Sequence, residues 1–179
     1  ALGTVADVVP LRGANRLFVC KGLEQMKKSQ WLGVKALMNV ADLRFDQLDA
    51  YALGFKMGPR INAAGRMSDA TAGVELLTTL DFQKARSLAE ALNRENQHRQ
   101  QTEKEMFVEA TMMLERSPEL LAEHAIVLAN EQWHPGVIGI VASRLVEKYH
   151  RPVILMALEG QKGKGSARSV PGFDMFEAL

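Results

Sequence analysis

Three hydrophobic patterns follow one another along the chain. The first eighty residues hold short amphipathic stretches separated by breaks. Leu17, Phe18, Leu23 and Met26 predict a helix between Asn15 and Lys28. Trp31, Val34, Leu37 and Met38 predict a second, with Ser29 as its N-cap. Asp46 is placed to cap a third, running through Leu48, Ala52 and Leu53 to Gly54. Gly58-Pro59 and then Gly65 predict turns, because such residues punctuate helical patterns. Ala70 to Leu80 reads as helix again, whereas the opening run Ala1–Val9 reads as a buried strand and loop.

The second pattern, Asp81 to Ser117, contains no Gly and no Pro and is rich in strong helix formers. At about 1.5 Å per residue such a helix spans roughly 55 Å. Leu88, Leu92, Phe107, Val108, Met112 and Leu114 supply its apolar stripe, while Arg94 to Gln101 is almost wholly polar. A polar centre between apolar ends is expected of a helix that bridges two bodies. Ser117-Pro118 stops it.

The third pattern is α/β. Ala125–Ala129 and Pro152–Ala157 are short β-branched apolar runs, each the length of a buried strand, and Gly136 to Tyr149 between them has helical spacing. A strand–helix–strand unit of this kind implies parallel strands. Glu159 to Lys164 then turns the chain, and Gly165 to Val170 predicts a third strand.

Composition narrows the chemistry. With 179 residues, 47% hydrophobic and 24% charged, the chain can bury one good-sized core or two small ones. A net charge of +1 gives no global attraction for a polyanion, so any nucleic-acid site must be a local patch. Cys20 is the only cysteine, which rules out an internal disulfide and a thiolate zinc site. There is no signal-peptide pattern and no apolar run near 18 residues, so the expectation is a soluble cytoplasmic protein without membrane contact. Both ends read as cut from something longer.

Two segments carry phosphate chemistry. His134-Pro135-Gly136 opens a helix directly after a strand, leaving backbone N–H groups at a helix start for an anion. The same segment serves equally as a tight turn in which Gly139 packs the helix on the sheet. Gly163-Lys164-Gly165-Ser166-Ala167-Arg168-Ser169 places Lys164, Ser166 and Arg168 two residues apart, hence on one face of a strand. Those three side chains suit phosphate, and they also suit a charged hairpin edge that discourages strand pairing. Asp7 follows an apolar run, a position for a Mg²⁺ or Mn²⁺ ligand or simply for an Asx turn. Arg60 and Arg66 flank Asn62 in a small basic segment. His98, His124 and His150 have no ligand-like neighbours. Trp133 is the best candidate for stacking on a base.

Four motifs together resemble one family. They are Gly3–Leu11, Gly58–Arg66, His134–Arg144 and Gly165–Ser169. In that order, over the whole chain, they resemble the single-strand-specific 5′→3′ DNA exonucleases of the DHH phosphoesterase superfamily. The resemblance implies an α/β fold with the C-terminal part of a DHH domain in 1–80, a long connecting helix in 81–117 and a small DHH-associated α/β domain in 118–179. It implies Asp7 as a metal ligand, Asn62 and Arg66 as catalytic residues near the scissile phosphate, and Arg60, His134, Arg144, Lys164, Ser166 and Arg168 as DNA and phosphate contacts. Ser166 and Arg168 would form the pocket for the 5′ end. The implied cofactors are two Mn²⁺ or Mg²⁺ ions. The implied partners are single-stranded DNA and, for the full-length protein, single-strand-binding protein or a helicase.

One departure matters. The family's other metal ligands lie in motifs absent here, including its Asp-His-His triplet, and no Asp-His or His-His pair occurs in the chain. Two-metal hydrolysis needs several carboxylates and imidazoles. The chain is therefore expected to bind DNA but to be inactive alone, with residues 1–80 the less stable part. A non-catalytic nucleic-acid or replication-protein binding module and a short-oligonucleotide phosphatase are the alternatives.

Overall fold

The structure, a computed structural model, describes residues 1–67 and 69–178. The chain divides into two compact units, Ala1–His98 and Arg99–Leu179, and the division falls inside the long helix.

The first unit is helical. It contains α1 (Leu2–Ala6), α2 (Gly13–Met26), α3 (Leu32–Val40), α4 (Gly58–Met67), α5 (Thr71–Thr78) and the first half of α6 (Phe82–Arg116). Its core is Leu37, Met38, Leu48, Leu53, Met57 and Leu76, closed by Ala85, Ala89 and Leu92 of α6. The last three repeat at i, i+4 and i+7, the spacing that gathers one face of a helix. Helices α3 and α5 cross closely because Gly33 lacks a side chain: a Cβ there would run into the backbone carbonyl of Leu76.

Three expectations for this unit are overturned. Ala1–Val9 is not a strand but α1, ended by a Schellman turn in which Val9 N–H donates to Thr4 O and Val8 N–H to Val5 O, both at 3.1 Å. A short apolar run fits either structure, and here local hydrogen bonds decide it. Val8 takes the left-handed position of that turn at φ 54°, a place that usually falls to glycine. Secondly, Ser29 and Asp46 are not the caps. Ser29 Oγ accepts the Trp31 N–H at 3.2 Å ahead of α3, and Asp46 pairs with Arg44 in a 3₁₀ turn, Phe45–Gln47. Asp49 caps instead, accepting the Ala52 N–H at 2.7 Å. Thirdly, Gly58-Pro59 does not break the helix. A π-helical turn, Ala52–Met57, leads straight into α4, with the Gly58 N–H donating five residues back to Leu53 O. In a regular α-helix the Pro59 ring would press on the carbonyl four residues earlier; the wider turn relieves that clash.

The long helix α6 is capped by Asp81, whose carboxylate accepts the Lys84 N–H at 2.8 Å. In the second unit its buried stripe is Met106, Ala110 and Leu114. The three-stranded sheet of that unit has the order β1 (Ile126–Asn130), β2 (Val153–Glu159), β3 (Lys162–Arg168). β1 and β2 are parallel and joined through α7 (Ile138–Tyr149); β2 and β3 form a hairpin whose turn uses Gly160 at φ 57°. The third strand thus begins at Lys162, three residues before the expected start. The register puts Ile126, Leu128, Val153, Leu155 and Ala157 on one sheet face. All five are buried, as are Ile138, Val141, Ala142 and Leu145 of α7, which packs on β2 and β3. A short α8 (Met175–Ala178) follows. No helix among the described residues is long and apolar enough to cross a membrane.

Candidate nucleic-acid interface

The cross-strand register explains how β3 presents its polar groups. Arg168 lies opposite Val153, Ser166 opposite Leu155 and Lys164 opposite Ala157. The three side chains therefore continue the buried face of β2 out to the sheet edge, where α7 begins. Gly139, in the first turn of α7, makes room for them. A Cβ on Gly139 would lie 2.9 Å from Ser166 Oγ and 3.0 Å from Arg168 Nη2. A hydroxyl and a guanidinium thus converge on bare backbone at a helix start, a combination suited to an anion.

Ser143 organises this cluster. Its hydroxyl donates to Gly139 O at 3.1 Å and accepts Arg168 Nε at 3.1 Å. Arg168 Nη1 also donates to its own neighbour's carbonyl, Ala167 O, at 2.9 Å, so the guanidinium is oriented before any ligand arrives. Lys164 shares the sheet face but opens on a cleft of about 500 Å³ that also holds Glu131 and Glu159.

The loop before α7 is built inward. His134 Nδ1 accepts the Gly136 N–H at 3.1 Å, and His134 O accepts the N–H groups of Val137 and Ile138. His134 therefore shapes the turn. Trp133 is buried, and its Nε1 donates to Glu109 Oε2 at 2.7 Å while Asn130 Nδ2 donates to Glu109 Oε1 at 2.8 Å. This corrects the expectation that Trp133 stacks on a base: the ring is enclosed and its N–H committed. Arg144, a residue past Ser143, points to α6 and pairs with Glu103 at 3.1 Å.

In the first unit, Asn62 and Arg66 are one helical turn apart on α4 and both exposed, whereas Ala63 and Ala64 face the core. Arg60 is differently placed from what the sequence suggests. Its guanidinium donates to Asn93 Oδ1 at 2.9 Å, Lys56 O at 2.6 Å and Val40 O at 3.3 Å. Burial lowers its pKa below the ordinary arginine value. Those bonds tie α4 to α3 and α6, so Arg60 acts as an internal brace. Asp7 is exposed at the end of α1, beside the strained Val8. No group of three or more His, Cys, Asp or Glu side chains that could hold a metal occurs among the described residues. Asp7 alone does not make the two-ion site that the resemblance implies.

Sequence reasoning missed Gly139 and Ser143 as parts of the cluster, and Glu103 and Glu109 as its supports from α6. The only local signal was the i, i+4 pair of Arg99 and Glu103.

The α/β unit with its glycine-flanked phosphate cluster is of the DHH-associated class: the DHHA1 domain family matches residues 122–179. From end to end the chain is RecJ-like. It is 41% identical over 181 residues to the single-stranded-DNA-specific exonuclease RecJ of Bacillus subtilis (strain 168), covering 100% of this chain and 23% of that protein. It is 46% identical over 184 residues to RecJ of Dickeya dadantii (strain 3937), covering 100% of this chain and 32% of that protein. The crystal structure of Thermus thermophilus RecJ with Mn²⁺ superposes with a TM-score of 0.85 at 39% identity, over 99% of this chain and 26% of that one; its Mg²⁺ complex gives 0.83 at 38% identity over 99% and 27%. The chain spans about a quarter to a third of the length of these relatives.

Proposed function

We propose that this chain is the DNA-gripping part of a metal-dependent 5′→3′ exonuclease that degrades single-stranded DNA in repair and recombination. The observation that carries the reading is the convergence of Ser166 and Arg168 on Gly139 at the start of α7. A terminal 5′ phosphate offers the oxygens that this hydroxyl and guanidinium would take, and the neighbouring helix start favours negative charge. Arg144 and Lys164 would take phosphates further along the strand. Phosphate contacts of this kind carry no base preference and weaken steeply with salt.

Asn62 and Arg66 would serve the reacting phosphate and Asp7 would be one of the ligands for Mn²⁺ or Mg²⁺. Arg60 and His134 stand outside the contact set, as brace and turn former. Because one carboxylate cannot hold two ions, the chain grips DNA and does not cut it. We place the protein in the cytoplasm, where the lone thiol of Cys20 stays reduced. Single-strand-binding protein or a helicase remain the protein partners to test.

The experiment compares binding of a 5′-phosphorylated and a 5′-hydroxyl oligonucleotide. The phosphorylated strand should bind about tenfold more tightly, the scale of one charge-assisted contact. Ser166→Ala with Arg168→Ala should erase the difference. Equal binding of the two strands by the wild-type chain would overturn the reading. Mn²⁺-dependent nuclease activity lost in Asp7→Ala would overturn the claim of inactivity.

A further inference from the structure

Arg144 is held at two points by α6. Arg99, Glu103 and Phe107 recur every fourth residue and so form one stripe along that helix. Glu103 accepts Arg99 Nη1 at 2.7 Å with one oxygen and Arg144 Nη1 at 3.1 Å with the other. The Arg144 guanidinium carbon lies 4.2 Å above the centre of the Phe107 ring, and Lys148 Nζ approaches the same ring at 5.7 Å. The Glu103 side chain is only 15% exposed, whereas that of Arg144 is 42% exposed. The guanidinium is thus anchored by a half-sequestered carboxylate and a ring under its plane while still reaching solvent.

Such anchoring has a consequence for binding. A long, freely rotating arginine loses much of the energy of a phosphate contact to its own ordering. Here the ordering precedes the ligand. Five N–H donors lie around the edge of the guanidinium plane, and Glu103 engages one of its nitrogens. The ring covers a face and leaves edge donors for a second acceptor.

We propose that Glu103 and Phe107 are positioning residues that hold Arg144 in the orientation in which it takes a phosphate of single-stranded DNA. The proposal rests on the functional reading given above. Neither residue touches the strand; both act through Arg144. Arg99, on the far side of Glu103, keeps the carboxylate in place and offsets part of its repulsion of the approaching phosphate.

The test is a pair of double-mutant cycles on the 179-residue chain, read as the dissociation constant for a 5′-phosphorylated oligonucleotide, with thermal melting to show that each variant folds. Phe107→Leu should weaken binding about three- to fivefold, the scale of a cation–π contact at a partly exposed site. Phe107→Tyr, which keeps the aromatic face, should restore wild-type affinity. In the Arg144→Ala background Phe107→Leu should have no further effect. Glu103→Ala should weaken binding in the wild-type background and tighten it in the Arg144→Ala background, where only the repulsion of its carboxylate is relieved. A Phe107→Leu effect of equal size in both backgrounds, or Glu103→Ala tightening binding in both, would overturn the proposal and leave the functional reading intact. Unchanged binding by Arg144→Ala would also overturn it, while Ser166 and Arg168 kept their role. Failure of the wild-type chain to prefer the phosphorylated strand would overturn both together.

Discussion

The two units place their apolar side chains differently. In the sheet unit, Ile126, Leu128, Val153 and Leu155 meet Ile138, Val141 and Leu145 in a closed core drawn from some thirty consecutive residues. The helical unit draws its core from positions as far apart as Leu37 and Leu92, and it leaves much apolar surface in water: Val8 is 86% exposed, Phe18 62% and Phe55 70%. Tyr51 and Phe55 stack on each other at 4.7 Å, yet both are solvent-exposed. Apolar area left in water contributes nothing to folding. The unit that carries the phosphate cluster is therefore the one whose scaffold closes on itself, which suits a site whose donors must be in place before the ligand arrives.

That contrast can be broken or sharpened by substitution. The largest effect is expected from Leu155→Ala, which removes a fully buried side chain from the sheet face beneath Ser166. It should cost about 2–5 kcal/mol. Trp133 is the reporter, since it is buried in this unit and should red-shift as the unit loosens. Hydrogen exchange should rise in β1, β2 and α7 while α3 and α5 keep their protection. Next comes Gly33→Ala in the helical unit. The new methyl meets backbone rather than a movable side chain, so a loss of about 1–3 kcal/mol is expected in urea unfolding. Its exchange signature should be the reverse of that of Leu155→Ala. If either change loosens both units equally, the contrast between them is wrong.

Two smaller effects sharpen the picture of the helical unit. Val8→Gly should stabilise it by about 0.5–1 kcal/mol, because a β-branched residue leaves the left-handed position at the end of α1. An unchanged or lower melting temperature would show that the exposed Val8 side chain matters more than its backbone. The smallest effect concerns Asp69, which accepts the Thr71 N–H at 2.9 Å and the Thr71 hydroxyl at 2.8 Å. The backbone bond, and then the hydroxyl, lower its pKa below the usual carboxylate range. A depressed folded pKa means that its stabilisation is present above the unfolded value near 4 and is lost as pH falls through the lower folded value. The acid limb of a melting-temperature profile should be slightly shallower in Asp69→Asn than in wild type; superposable profiles would show that the bond is immaterial.

How far residues could be read in advance follows the same division. Ala125–Ala129, Gly136–Tyr149 and Pro152–Ala157 each carried enough local pattern to locate β1, α7 and β2 within a few residues. The absence of Gly and Pro between Asp81 and Ser117 did the same for α6. Ser166 and Arg168 were legible because a two-residue spacing on a strand settles the face. The misreadings depended on partners distant in sequence or on an uncommon local geometry. Trp133 looked available until Glu109, 24 residues earlier, was seen to hold its N–H. Arg60 looked basic and open, but Val40 and Asn93 take its donors. Gly58-Pro59 signals a turn under the usual rule, and only a wider helical turn upstream removes the clash that underlies the rule.

That wider turn also acts as a phase adjuster. Successive residues of an α-helix are about 100° apart around its axis, so the number of residues upstream sets the direction in which everything downstream points. The π-helical turn at Ala52–Met57 sets the angular phase of α4 relative to the helical start capped by Asp49. Taking one residue out would return the segment to ordinary pitch, press the Pro59 ring on a carbonyl, and swing Asn62 and Arg66 together by about 100°. Their shared outlook is thus governed by a residue count several positions upstream, and an insertion or deletion there would re-aim both side chains without altering either one.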